Sequence, residues 1–325
     1  MQIKKSNIFI AQTPFQNFMA GKIVEQLFLE DGSMNYLYSS VTLDNKGYFD
    51  EYHPIEKKES LKKITTTYSA KKKISKRLKS GHCELFIPHT SAILSNYFFY
   101  SFPKERYGVR LNFYYEGILY FYKYYEPYKT KTHTVRKIFS LLVGFGYRRN
   151  SEILPVEHPS VNAIYTIFPE HTLGPKQKMV EVSLLKEKYT GQNNCVLIVG
   201  GKPSALEDSE VILLYREMIE KILQFPEEST VYFKGHHADT SSNFEIANAG
   251  RIEFQEITQN SAIEEVIELY RPSTILSYPS SALINLKAMY GKKIDVFSYY
   301  IDTKKQILEK IWPIFEKLNV YINLY

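Results

Sequence analysis

The sequence predicts an α/β protein of two facing Rossmann-like domains, with a C-terminal helix that crosses back toward the first. Three observations predict it. Short runs rich in β-branched and aromatic residues alternate with helix-length segments along the whole chain. These runs are apolar throughout, as in parallel strands covered on both faces. The alternation happens twice, on either side of a polar zone at residues 169–194 that holds the breakers Gly174-Pro175 and Gly191. Polar residues collect where the apolar runs stop, which in open parallel sheets is the ligand-binding edge. The expected domain boundaries are 1–172 and 173–302, with the crossing helix in 303–325.

In the first half, NIFIA at 7–11 is a buried strand, and Gln12-Thr13-Pro14 turns it into a helix over 15–29. Pro14 suits a helix start, where its missing N–H is not needed. Strands follow at 34–39, 84–88, 109–115 and 161–168, the last closing this half. Helices fall at 91–100 and 135–143, and an aromatic stretch at 120–128. The second half opens on CVLIV at 195–199, which stops in Gly200-Gly201-Lys202. Strands at 230–233, 251–254, 274–277 and 294–299 alternate with helices at 209–223, 262–270 and 280–290. An amphipathic helix over 303–318 ends the chain.

With 44% hydrophobic residues in 325, the chain is a folded protein long enough for two domains. No run reaches the roughly 18 apolar residues of a membrane span. The opening MQIKKSNIFIAQTPFQ lacks a small-residue cleavage site and reads as a first strand, not a secretory signal. Cys83 and Cys195 lie far apart in strand-like runs, which excludes a disulfide framework and argues against structural zinc. The expected location is the cytoplasm. The net charge of +6 is local: Lys57, Lys58, Lys62, Lys63, Lys71, Lys72, Lys73, Lys76, Arg77 and Lys79 crowd one segment. That segment reads either as a solvated helical face or as a surface for an acidic polymer or an anionic membrane. A membrane would attract it by roughly 1 kcal/mol per basic residue. The 27 tyrosines suit a sugar-lined groove and an ordinary core alike.

Two stretches carry most of the candidate chemistry, VYFKGHHAD at 231–239 and TILSYPSSAL at 274–283. Ser280 and Ser281 start a helix, where hydroxyls cap backbone N–H groups and where the same N–H groups and the helix dipole suit a phosphate. Lys234 and His236 follow a strand. An imidazole there is either incidental, a phosphate ligand, or a general acid for a leaving phosphate oxygen. Neighbouring His237 brings metal to mind, but no third ligand stands at a recognised spacing. Glu116 ends the strand LNFYY before Gly117, either as a solvated turn acid or as a general base for an acceptor hydroxyl, across a cleft from His236. Glu264 either holds ribose hydroxyls or simply favours a helix N-terminus. Gly200 and Gly201 permit close backbone approach to a ligand. No P-loop, GxGxxG or GxSxG stands at a strand–helix junction, which removes weight from kinase, NAD-dehydrogenase and α/β-hydrolase readings.

Taken together, Glu116-Gly117, Lys234-Gly235-His236 and Ser280-Ser281 resemble, in order and placement, three short motifs of the bacterial sialyltransferases. These are an acidic pair before Gly, Lys-x-His-Pro and Ser-Ser. The resemblance is closest to glycosyltransferase family 52 and the related polysialyltransferases, and the opening AQTPFQ resembles their first strand and turn. Two positions depart from the pattern: Tyr115 stands where the first acid would be, and His237 where the proline would be. The resemblance implies a GT-B type fold and inverting, metal-independent transfer of sialic acid from CMP-sialic acid to a sugar hydroxyl, with no cofactor. It implies Glu116 as base and His236 as contact or acid for the departing phosphate. Ser280 and Ser281 would hold that phosphate, Glu264 the ribose, and Gln12 and Thr13 the sugar side. A capsule or lipooligosaccharide acceptor would give the basic segment an anionic partner, and a homodimer fits the family. Beside another cytidine- or nucleotide-sugar transferase, two other readings stay open. One is a CDP-glycerol or CDP-ribitol phosphotransferase, although Tyr278-Pro279 stands where that family carries an acid before its Ser pair. The other is a non-catalytic binder of anionic polymer; nucleic acid is not expected as partner, because no recognition motif accompanies the lysines.

Overall fold

The computed structural model describes residues 5–41, 47–57, 60–121, 131–148, 154–185, 189–201, 206–235, 254–257, 263–307, 309 and 311–325. The chain forms two compact units, Met1–Val182 and Ser183–Tyr325.

The first unit runs β1 (Ser6–Ala11), α1 (Pro14–Leu27), β2 (Met34–Ser39), β3 (Glu51–Pro54), α2 (Leu61–Leu78), β4 (Cys83–Ile87), α3 (Ile93–Tyr100), β5 (Arg110–Tyr114), α4 (Lys131–Leu142), β6 (Val161–Thr166) and β7 (Met179–Glu181). The described strands make one sheet in the order β3-β2-β1-β4-β5-β6-β7, every neighbour parallel. Burial on both faces explains the continuous apolar runs: Ile8, Phe9 and Ile10 of β1 and Leu85, Phe86 and Ile87 of β4 are all buried. Phe9 lies opposite Phe86 in the register, and their rings stack at 4.3 Å. At the N-terminal edge the same sheet carries a set of polar contacts, buried except at Asn162: Asn7 donates to Asn35 (3.0 Å), Asn112 to Glu84 (2.8 Å) and Asn162 to Asn112 (2.9 Å). Lys5 closes it on Glu84 at 3.0 Å.

The second unit runs β8 (Gln192–Val199), α5 (Asp208–Ile222), β9 (Thr230–Lys234), β10 (Phe254–Glu256), α6 (Ile263–Tyr270), β11 (Pro272–Ser277), α7 (Ser281–Tyr290), β12 (Asp295–Tyr300), α8 (Trp312–Lys317) and β13 (Tyr321–Leu324). Its described strands form a parallel sheet in the order β10-β9-β8-β11-β12-β13. Leu197 and Ile275 pair across its centre, both fully buried. Burying such a side chain stabilises the fold by about 1.5–3 kcal/mol. In each sheet the chain builds outward on one side of the first strand and then crosses to the other side. The strand order therefore reverses between β1 and β4, and between β8 and β11. Such a reversal opens a crevice at the carboxyl ends of the two strands.

The α/β class of two Rossmann-like units stands as expected from the sequence, while three details differ. The first unit extends to Val182, past the expected boundary at 172, because β7 adds an edge strand beside β6. The edge strand β3 also went unforeseen. The tail is not one helix over 303–318. Pro313 sits in the first turn of α8, where it starts a helix and bars one from running through. Asn319, at φ 55°, then ends the helix in the left-handed conformation, and β13 pairs with β12 within the second unit.

Candidate active site

In the first unit, three strand ends converge on Glu116. At the end of β1, Thr13 caps α1 by accepting the Gln16 backbone N–H (3.2 Å), with Pro14 opening the helix. This cap fixes the first turn of the helix and turns the Gln16 side chain inward, where it is 2% exposed. Its Oε1 accepts the Gln12 backbone N–H at 2.7 Å, and its Nε2 donates to Glu116 Oε2 at 2.6 Å. At the end of β4, the Ser91 backbone N–H donates to His89 Nδ1 at 3.1 Å. Nδ1 is therefore an acceptor, so the neutral ring carries its proton on Nε2, which lies 3.4 Å from Glu116 Oε2. The carboxylate is thus held by an amide and approached by an imidazole while 11% of its side chain reaches solvent.

The turn after Glu116 depends on Gly117, whose φ of 139° and ψ of −153° belong to a region open essentially to glycine alone. Below it, the Tyr114 hydroxyl donates to Ile10 O (2.7 Å), and the Tyr120 hydroxyl lies within bonding distance of Pro88 O (2.8 Å) and Tyr114 O (2.6 Å). These contacts tie the ends of β1, β4 and β5 together. Burial pushes both phenols well above their ordinary range, and the charge of Glu116 adds to the effect. Tyr115 is fully buried against Phe15, Tyr120 and Phe121. That explains the missing acid of the sialyltransferase-like pair: the position belongs to the core.

A cavity of about 660 Å³ opens beside this group, at the carboxyl edge of the sheet. Gln12, Ser40, His89 and Ser91 line it with Lys63 and Arg136. Its size is that of a small-ligand site. Thr13, expected on the sugar side, is spent as the cap of α1. Sequence reasoning missed His89 and Gln16. His89 follows a strand and a proline, and the argument used for a polar residue at a strand end applies to it equally.

In the second unit, Gly200, Gly201, Ser280 and Ser281 come together where the strand order reverses between β8 and β11. The Gly200 N–H donates to Lys234 O at 2.9 Å, and Ser277 Oγ to Val199 O at 2.7 Å, which locks the three strand ends. A Cβ on Gly201 would stand 3.4 Å from the Tyr278 ring, an ordinary contact, so packing alone does not require glycine there. Ser280 is the N-cap residue of α7, with φ −151° and ψ 161°, yet its side chain makes no capping bond. Among the described residues its buried Oγ has no hydrogen-bond partner. The first N–H groups of α7 and this hydroxyl form an arrangement suited to an anion. Burial lowers the Lys234 pKa at the end of β9. Glu264 stands at the start of α6, one of the two places the sequence allowed it; it is buried, and its carboxylate accepts from Asn285 of α7 at 3.1 Å, tying two helices together. His236 and His237 lie outside the described residues. Among the described residues, no three His, Cys, Asp or Glu side chains cluster as a metal site, and no helix is long and apolar enough to cross a membrane.

Two parallel-sheet units, each with polar groups at its switch point, define a two-domain Rossmann-like fold of the GT-B type. Solved structures share it. A UDP-GlcNAc 2-epimerase from Methanocaldococcus jannaschii is similar over 98% of this chain and 88% of its own, at 10% identity and a TM-score of 0.57. A 2,6-sialyltransferase from Photobacterium sp. JT-ISH-224, solved with the donor product CMP and the acceptor lactose, is similar over 98% and 78%, at 12% identity and 0.55. A sialyltransferase from Photobacterium damsela is similar over 99% and 81%, at 11% identity and 0.53. No protein-family model matches the sequence, and no curated protein matches it.

Proposed function

We propose that the chain is a sialyltransferase that moves sialic acid from CMP-sialic acid to a sugar hydroxyl of a bacterial surface glycan, in the cytoplasm and without a metal. The observation that carries the proposal is the carboxylate of Glu116, fixed by Gln16 beside a sugar-sized cavity that His89 lines. The nucleotide belongs to the second unit and the acceptor to the first. Glu116 takes the proton of the acceptor hydroxyl, and the freed oxygen attacks the anomeric carbon of sialic acid from the face opposite the phosphate. The bond from that carbon to the phosphate oxygen breaks, and CMP leaves with inversion. The uncapped N-terminus of α7, with Ser280 and Ser281, takes the phosphate; His236 contacts or protonates it. The likeness of fold to the CMP-bound Photobacterium enzyme supports this reading. The lysines of residues 57–79 give such an enzyme an attraction to anionic membrane, and a homodimer is compatible with it.

The test is calorimetry with CMP, CDP and UMP on the wild type and on the Ser280→Ala/Ser281→Ala double variant, followed by an acceptor screen with CMP-sialic acid in EDTA. A nucleotide at about 100 times its Kd stabilises the fold by about 2.7 kcal/mol. CMP binding that the double change abolishes, and transfer that Glu116→Gln lowers by about 10²–10⁴-fold, are the expected results. Preference for CDP would favour the phosphotransferase reading, and indifference to every nucleotide would refute both.

A further inference from the structure

The helix α4 is apolar on two sides. Its inner side buries Phe139, and the following Val143 and Phe145 complete a cluster with Ile64 of α2 and with Ile93 and Tyr97 of α3. On its outer side Val135, Ile138, Leu141 and Leu142 are 49–61% exposed. Positions 135, 138 and 142 follow the i, i+3, i+7 spacing of one helical stripe, and 141 flanks it. Scattered exposed apolar residues need no account, but four on one short helix do.

The neighbouring helix shows what covers the stripe. Lys71 of α2 donates to Val143 O at 2.6 Å, and Lys63 Nζ lies 5.3 Å from the centre of the Phe139 ring, so α2 lies against α4. Neither helix contains an Asp or a Glu, while α2 alone carries Lys62, Lys63, Lys71, Lys72, Lys73, Lys76 and Arg77. Lys72, Lys73 and Lys76 are exposed on its outer face, and Lys137 on that of α4. A second copy of the chain, paired through the same face, would set these like charges against each other. Nucleic acid would take the lysines and leave the leucines in water. An anionic lipid surface takes both, the apolar side chains at the headgroup–acyl boundary and the lysines at the phosphates.

We propose that the outer stripe of α4, flanked by the lysines of α2, docks this protein on an anionic membrane. Val135 belongs both to the stripe and to the wall of the 660 Å³ cavity, so docking brings the cavity to the lipid surface. The docking does not depend on the identity of the donor.

The experiment is co-sedimentation of the full chain with extruded vesicles of phosphatidylcholine alone or mixed with phosphatidylglycerol. It compares the wild type, Ile138→Ser/Leu142→Ser, and Lys72→Glu/Lys76→Glu. All these positions are exposed, and unchanged melting temperatures confirm that the variants fold. The wild type should bind the mixed vesicles and not the neutral ones, and each double variant should bind about tenfold or more weakly. Absence of binding by the wild type overturns the proposal. So does wild-type affinity in Ile138→Ser/Leu142→Ser, which would mean adsorption by charge alone. A dimer in light scattering that this same variant dissociates would assign the stripe to a second copy and overturn it too.

Discussion

The substitution Gln16→Glu probes the arrangement around Glu116 with almost no change of shape. The new side chain still accepts the Gln12 N–H, but a carboxylate oxygen replaces the amide nitrogen that now lies 2.6 Å from Glu116 Oε2. Two charges about 4 Å apart at an effective dielectric of about 20 repel by roughly 4 kcal/mol. At about 1.4 kcal/mol per unit, that raises one carboxyl of the pair by up to about three pKa units. The sign follows from linkage. A carboxyl whose pKa is raised on folding costs nothing in acid, where the introduced side chain is protonated and again donates to Glu116. The penalty grows as pH rises through the ordinary carboxylate range and is complete above the raised value. Calorimetry of wild type and variant across pH, following the transition of the first unit, should show near-equal stability in acid and a deficit of several kcal/mol at neutral pH. A deficit independent of pH, or none, would refute the contact.

Three further outcomes follow from the same structure. Gly117→Ala should destabilise the first unit by about 1–3 kcal/mol in chemical denaturation, because the new side chain must occupy φ 139°. Tyr115→Asp, which restores the acidic pair of the sialyltransferase-like motif, should prevent folding of the first unit. It buries a charge and removes a core ring, and the aromatic loss alone costs about 3–5 kcal/mol; a soluble variant of native melting temperature would contradict this. Burial pushes the Cys195 thiol up to about 11 and raises that of Cys83. Neither should react with iodoacetamide at neutral pH until denaturant is added, as mass spectrometry of the alkylated protein would show.

The strands that sequence made legible are those whose burial on two faces leaves an unbroken apolar run, such as β1, β4 and β8. Those it hid are edges. In β3, Glu51-Tyr52-His53-Pro54 has one neighbour among the described strands and no need of an apolar run, and the three-residue β7 is too short to show a pattern. Ser280 was legible as a helix start, because serine after a strand is a usual N-cap residue. Gln16 was not, because an amide on an early helical turn reads as a surface residue, and only the fold shows that it is buried against the end of β5. The helix start of Glu264 was legible, but its burial was not: only the packing of α6 on α7 shows that Asn285 holds it inside. Lys71 and Arg77, counted in a basic surface run, partly serve the core. Lys71 bonds the carbonyl of Val143, and Arg77 bonds Glu51 while lying 3.6 Å over the ring of Tyr36.

The bond from Gln16 to Glu116 spans 100 residues of chain. The helix that supplies the amide is present almost from the start. The carboxylate arrives only after β4 has been laid beside β1, and β5 beside β4. A chain arrested after β2 and β3 have assembled would hold a half-sheet in which the Gln16 amide has no carboxylate to meet. Parallel pairings of this kind form late, because their loops must close before they contribute. The contact is therefore a report on the centre of the sheet: it exists only once β1, β4 and β5, three of the seven strands, lie side by side.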